Sequence, residues 1–338
     1  MRYLWTHRTS MGVAMARDWG WWTEQKLDIL SDYLTGFSRA STRAKTTVYL
    51  DLFAGQAENL SRERTRHTIE GSPKRALAIE PPLTVLRFFE LPSNAAQLDH
   101  SLRTAYPNRD FKVVAGDCNS TIDDTLAELT PLNWAPSFAF LDQQSTEVEW
   151  STLTKLARHK RRGKPKVELW LLCASGLLPR GLRLRQDIDT GVVDQMNAMF
   201  GTDAWLQALE ATRDDTLSGK QFEAELTNLM RWRMEKVLGY KKTRTFKVVN
   251  TRGREIFDMI FATDHDIGDK IMKWSYGKAQ KQQPSLQLRA KLGRQQAREE
   301  ERGEISLFDA AEFAAEPLPA GYEVIPDDLP PHPPFRRR

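Results

Sequence analysis

Cysteine is nearly absent, with Cys118 and Cys173 the only two in 338 residues. Two thiols exclude a disulfide framework, and their separation matches no metal-site spacing. Each ends an apolar run, which fits a reduced core residue. No apolar stretch approaches the roughly 20 residues that span a bilayer. The opening MRYLWTHRTSMGVAMARDWGWW has no continuous apolar core of the signal-peptide kind. A cytoplasmic protein is expected. The six histidines are scattered, with no pair at helical or chelating spacing, so no metal is assigned. G-x-S-x-G, Walker and H-E-x-x-H motifs are missing, which removes support for hydrolase and NTPase readings. Net charge is only +4, so a polyanionic partner is permitted without being required.

What is present is a globular composition, 40% hydrophobic and 28% charged, with room for a sizeable core. From residue 47 onward, strand-like and helix-like segments alternate. Thr47–Phe53, Thr84–Glu90, Phe111–Ala115, Ser137–Asp142 and Val167–Cys173 are apolar runs of strand length. Ser72 and Ser93 are expected to cap intervening helices, and Thr121–Leu129 and Trp150–Arg158 to form two more. Such alternation argues for a mostly parallel, doubly wound sheet covered on both faces. Residues 187–239 carry only helical signals and read as an insertion. The runs TFKVVN and REIFDMIFAT flank Gly253 and read as an antiparallel hairpin at the sheet edge. The expected fold is α/β, a seven-stranded Rossmann-like sheet of the methyltransferase kind. Residues 1–46 are expected to form a helical N-terminal segment, 47–280 the main domain, with a last helix over Lys270–Lys278, and 281–338 a largely disordered tail, too polar and proline-rich to fold alone.

In open α/β sheets, ligands bind beyond the carboxyl ends of the strands where strand order reverses. Asp51, Glu90, Asp117 and Asp142 all stand at such ends. An acidic residue there often only caps a loop, but four on successive strands point to a nucleoside-type ligand. The small residues Ala54, Gly55 and Ala57 let backbone approach closely. Glu90 is placed to accept from ribose hydroxyls, Asp117 from an adenine amino group, and Asp51 to offset positive charge. Phe53 and Cys118 flank these positions.

The chain resembles the three-Cys-motif partner (TcmP) family. The likeness runs through WTEQKLDIL (Trp22–Leu30), YLDLFAG (Tyr49–Gly55), GSPKRAL (Gly71–Leu77), FFE (Phe88–Glu90), GDCNSTI (Gly116–Ile122), FAFLD (Phe138–Asp142) with Trp150, and Arg254–Met272. The resemblance implies a class I methyltransferase-like fold, S-adenosylmethionine as cofactor, and a partner of the three-cysteine, radical S-adenosylmethionine, iron–sulfur kind. Asp51, Phe53, Ala54, Gly55, Glu90, Asp117 and Cys118 would hold the cofactor, and Asp142 would stand near the methyl acceptor as the catalytic residue. Two positions depart from the family pattern. Ala57 replaces a glycine, at a cost of roughly 1 kcal/mol if that residue needs positive φ. Gln143-Gln144 replaces a proline-containing turn after the fourth strand.

Charge and aromatic clusters remain. The run RHKRRGKPK (Arg158–Lys166) reads first as a solvated loop and second as a phosphate-contacting patch on DNA or RNA. Arg180, Arg183 and Arg185 follow the fifth strand's carboxyl end, where phosphate contact is better placed. Trp19, Trp21 and Trp22 suit packing of the first helix more than base stacking. Glu304–Phe308 (EISLF) is similar to peptides that dock on the bacterial replication sliding clamp. Three functions follow: a methyltransferase acting on nucleic acid or with a radical-enzyme partner, a catalytically degenerate binding subunit of a DNA-processing or phage-defence complex, and a nucleic-acid enzyme whose carboxylates hold a metal.

Overall fold

The computed structural model describes residues 18–19, 21–61, 68–176, 178, 188–250, 255–302 and 329–337. It opens with β1 (Asp18–Trp19) and α1 (Trp21–Ala40), followed by β2 (Val48–Asp51), β3 (Glu58–Ser61) and β4 (Thr68–Glu70). The alternating part comprises α2 (Ser72–Leu77), β5 (Val85–Glu90), α3 (Pro92–Ala105), β6 (Phe111–Ala115), α4 (Cys118–Glu128), β7 (Ser137–Leu141), α5 (Trp150–Arg158) and β8 (Glu168–Cys173). Three helices intervene, α6 (Thr190–Phe200), α7 (Trp205–Arg213) and α8 (Gly219–Lys236), before β9 (Lys242–Val249), β10 (Glu255–Thr263) and α9 (Asp266–Glu301).

The main sheet has seven strands in the order β6-β5-β2-β7-β8-β10-β9. Its first five are mutually parallel. β10 runs antiparallel to both β8 and β9. This is the Rossmann-like α/β architecture with an antiparallel edge pair that the apolar runs imply. The central strands β2, β7 and β8 are buried at every position, because helices cover both faces. On one face Tyr33 of α1 packs 4.9 Å from Phe138 and 5.1 Å from Phe261. α9 lies beside α1, where Gln25 Nε2 donates to Ala279 O at 2.9 Å. On the other face α8 reaches β10 through Thr227, whose hydroxyl donates to Asp258 Oδ2 at 2.6 Å.

Several boundaries differ from expectation, each for a local reason. α2 is capped by Gly71 rather than Ser72, which is itself the first residue of the helix, with Pro73 in its first turn. α3 starts at Pro92, with Leu91 as its cap rather than Ser93; proline in the first turn has no N–H to satisfy and presets φ. α4 starts at Cys118, three residues before the predicted Thr121, since Asp117 Oδ1 accepts from Asn119 N at 2.7 Å. A small second sheet, β1-β3-β4, was not predicted at all.

The last helix is longer than expected, and residues 303–328 of the expected tail lie outside the described residues. The final helix does not end at Lys278; α9 continues to Glu301. Gln, Lys, Arg and Glu are good helix formers even without an apolar face. Gln283 and Gln287 also tie this stretch to the end of β9, donating to Lys247 O at 3.4 Å and Asn250 O at 3.2 Å. Residues 329–337 lie against α7 and α8, where Phe335 packs on the core. Among the described residues, no helix is long and apolar enough to cross a membrane.

Candidate ligand site at the carboxyl edge

The chain runs from β2 outward to β5 and β6, then returns to β7 and β8 on the other side of β2. Strand order therefore reverses between β2 and β7, and the crevice beyond their carboxyl ends is where ligands bind in such sheets. Asp51 closes β2 and Asp142 follows β7, so the two carboxylates flank the reversal. Glu90 ends β5 and Asp117 follows β6.

Gly55 carries the loop. Its φ of +64° lies in the left-handed region, and a Cβ there would meet nothing closer than 4.0 Å. Open space thus faces the backbone at the one loop position that glycine makes strain-free. Gly55 N donates to Glu90 Oε2 at 2.8 Å, and Asn94 Nδ2 donates to Glu90 Oε1 at 3.1 Å. Ala54 N donates to Phe89 O at 3.0 Å. The loop is thereby pinned to the end of β5. Gly71 braces it from behind: its N–H reaches Ala57 O at 2.9 Å, and a Cβ would collide with Gln56 O. Ala57 does not have a positive φ, so alanine at this position carries no left-handed backbone strain.

Asp51 is fully buried. Phe53 N donates to its Oδ1 at 3.4 Å and the Tyr49 hydroxyl to its Oδ2 at 3.3 Å. Burial pushes its pKa up to about 7; the Ser72, Phe53 and Tyr49 hydrogen bonds oppose that rise and Asp142 adds to it. In this conformation Asp51 organises the loop from beneath and does not face solvent. Phe53 and Gly55 are half-buried beside it, and Ala54 is buried.

Asp142 is held by a residue sequence reasoning did not single out. Lys26 Nζ of α1 lies 2.5 and 2.6 Å from its two carboxylate oxygens. The lysine side chain is 4% exposed and the aspartate 18%. Lys26 also lies over the Phe257 ring at 5.7 Å. Its only sequence signal was a cation within the otherwise buried face of the WTEQKLDIL helix. Gln143 turns inward instead of toward the crevice: Nε2 donates to Leu172 O at 2.9 Å, and Oε1 accepts from Val148 N at 2.8 Å. Gln144 is exposed.

Asp117 is exposed and Cys118 buried beneath it. Burial pushes the Cys118 thiol up to about 12, with Asp117 adding to the rise. It is a packed thiol, held in its protonated form at neutral pH by that burial. Asn119 links this corner to the next: Nδ2 donates to Glu147 O at 2.8 Å, and Oδ1 accepts from Glu149 N at 3.0 Å and the Thr152 hydroxyl at 2.8 Å. Among the described residues no three His, Cys, Asp or Glu side chains gather as a metal site.

The basic clusters are partly internal. Lys160 donates to Ala135 O and to Ser137 Oγ at the amino end of β7, away from the crevice. Burial lowers its pKa to about 8. Lys166 binds Asp264 Oδ2 at 3.0 Å and Gly239 O at 2.8 Å. Arg158, Arg161, Arg162 and Lys164 remain partly or wholly exposed. Trp21 is buried and meets Trp22 edge-on at 6.4 Å, which is packing. Arg180, Arg183, Arg185 and Glu304–Phe308 lie outside the described residues. The fold and crevice together define a Rossmann-like α/β protein with an acidic-edged loop at its topological switch point. No protein-family model matches the sequence, and no curated protein matches it.

Proposed function

We propose that the chain binds S-adenosylmethionine at the β2–β7 crevice and works as a methyltransferase-like protein, on nucleic acid or together with a radical S-adenosylmethionine iron–sulfur partner. The observation that carries this reading is the Gly55–Glu90 hydrogen bond. A carboxylate has about four acceptor positions. Gly55 N and Asn94 Nδ2 take two, which leaves two for a ribose diol. Exposed Asp117 keeps Oδ2 for an adenine amino group, and the open side of Gly55 admits close backbone contact. The residues present therefore fit the cofactor, which when bound supplies an electrophilic methyl group on sulfur. The protein's own task is alignment, because methyl transfer depends chiefly on geometry. Raised melting temperature with both S-adenosylmethionine and its demethylated product would support binding. If neither ligand shifts melting at millimolar concentration, the reading fails.

A second reading has its own observation. Lys26 already occupies both oxygens of Asp142, the carboxylate expected beside a methyl acceptor, and Gln143 is committed to the backbone. This favours a binding subunit that holds the cofactor without transferring its methyl group, as part of a DNA-processing or phage-defence complex. Transfer of radiolabelled methyl from S-adenosylmethionine to DNA, RNA or a cysteine-rich partner would exclude this second reading.

A further inference from the structure

Residues Leu329–Arg337 read LPPHPPFRR. Proline has no backbone N–H, so His332 is the one donor within Pro330–Pro334. That donor is met. His332 N donates to Asn228 Oδ1 at 3.0 Å, and Asn228 Nδ2 donates back to His332 O at 3.0 Å. One amide side chain on α8 thus reads both backbone groups of the only residue in the stretch that offers both. One turn away, Arg231 Nη2 donates to Leu329 O at 2.6 Å. Its guanidinium is oriented by Thr243, whose Oγ1 lies 3.1 Å from Nε. Pro331 is buried, and Phe335 packs onto the hydrophobic core. Arg337 Nη2 pairs with Asp214 at 2.6 Å, beyond the end of α7, and Arg337 N reaches Gln207 Oε1 at 3.4 Å. Glu225 faces the His332 ring at 3.5 Å, and its second oxygen is buried without a hydrogen-bond partner.

These contacts are made by side chains of two helices to an extended segment that has no helix or strand of its own. This is how proline-rich peptides are recognised: a stiff backbone loses little entropy on binding, so a few carbonyl contacts and one aromatic anchor suffice. The contacts also fix register. Sliding the segment by one residue in either direction would place a proline, with no N–H, against Asn228.

We propose that the face of α7 and α8 bearing Gln207, Asp214, Glu225, Asn228 and Arg231 is a recognition site for extended peptides of the pattern Pro-Pro-x-Pro-Pro-aromatic-basic. Its resident ligand is the chain's own Leu329–Arg337, held in cis. Covalent attachment raises a ligand's local concentration to about the millimolar range, so a site of only micromolar affinity stays filled. The assignment does not depend on the nucleoside-binding reading.

The test uses the full chain and a fluorescein-labelled LPPHPPFRR peptide. Wild-type protein, with its site filled, should not bind the peptide at micromolar concentration. A Phe335→Ala chain, which loses its own anchor but keeps the site, should bind it saturably. Adding Asn228→Ala to that chain should weaken binding at least tenfold, as should His332→Pro in the peptide. Failure of the Phe335→Ala chain to bind, or equal binding with and without Asn228, overturns the proposal. Amide exchange on the otherwise unaltered chain provides a second measurement. The His332 amide should be protected, and Asn228→Ala should release it; protection that survives the substitution overturns the proposal. Wild-type dimers that dissociate when free peptide is added would overturn the cis assignment.

Discussion

Lys26 and Asp142 meet at 2.5 Å across the carboxyl edge of the sheet, although 116 residues separate them. The pair joins the first helix to the loop that follows β7, so the N-terminal segment is part of the site. Removing one member of a buried pair leaves an uncompensated charge, at a cost of about 3–5 kcal/mol. Asp142→Asn is expected to destabilise the chain by that order, since it strands the more buried Lys26, and Lys26→Met by somewhat less, since the Asp142 it strands is more exposed. The double variant should recover part of the loss. Denaturant unfolding of the four proteins checks this; additive losses would show that the two residues are not coupled.

Glu168 gives a pH prediction. It is buried at the amino end of β8, where Tyr33 donates to it at 2.6 Å and Thr263 at 2.5 Å. Burial pushes its pKa from 4.5 up to about 7, against the lowering effect of these two hydrogen bonds, while Asp264 adds to the rise. A carboxyl raised in the fold keeps its proton while the unfolded chain loses it. Its stabilising contribution is therefore full below the unfolded pKa and is lost as pH rises toward 7, at up to about 1.4 kcal/mol per pH unit. Asp51, raised to about 7 by burial, acts in the same direction. Glu168→Gln should flatten the decline in stability between pH 4.5 and 7. An unchanged slope in that variant would contradict the assignment.

The loop supplies a paired test of backbone strain. Gly55→Ala places a side chain at φ +64° and should cost about 1 kcal/mol or more. Ala57→Gly should relieve nothing, because Ala57 is not in the left-handed region; it should instead destabilise by up to about 1 kcal/mol through the unfolded chain. Stabilisation by Ala57→Gly would mean that this loop retains a backbone strain at that position.

Gln143→Ala separates a structural from a ligand-facing role. Loss of its bonds to Leu172 O and Val148 N strands two buried backbone groups, at about 1–3 kcal/mol each. Stability should fall while affinity for a nucleoside ligand stays within about threefold (under 1 kcal/mol). A large affinity loss with unchanged stability would place Gln143 in the crevice after all.

Much of this architecture was legible in the sequence. Strands as apolar as FAFL and ELWLLC declare their burial, and the acidic residues after them mark the carboxyl edge. Gly55 was readable as one of three small loop residues, but its left-handed φ was not, since the positive φ was looked for at position 57. Other features depend on distant partners that no local pattern encodes. Lys26 looked like one more helix cation until the fold brought Asp142 to it. The length of the last helix was missed for a related reason. Low apolar content argued against order, yet α9 needs only helix propensity and a few glutamine contacts, and residues 329–337 borrow their order from α7 and α8.

Calorimetric titration with S-adenosylmethionine is the most direct test of the proposal that the Gly55–Glu90 loop holds a nucleoside cofactor. Saturable binding to the wild-type chain is expected, at least tenfold weaker (about 1.4 kcal/mol) in Glu90→Ala and unchanged in Asn228→Ala. Absence of binding at millimolar ligand in a folded wild-type chain, or equal affinity with and without the Glu90 carboxylate, would contradict it.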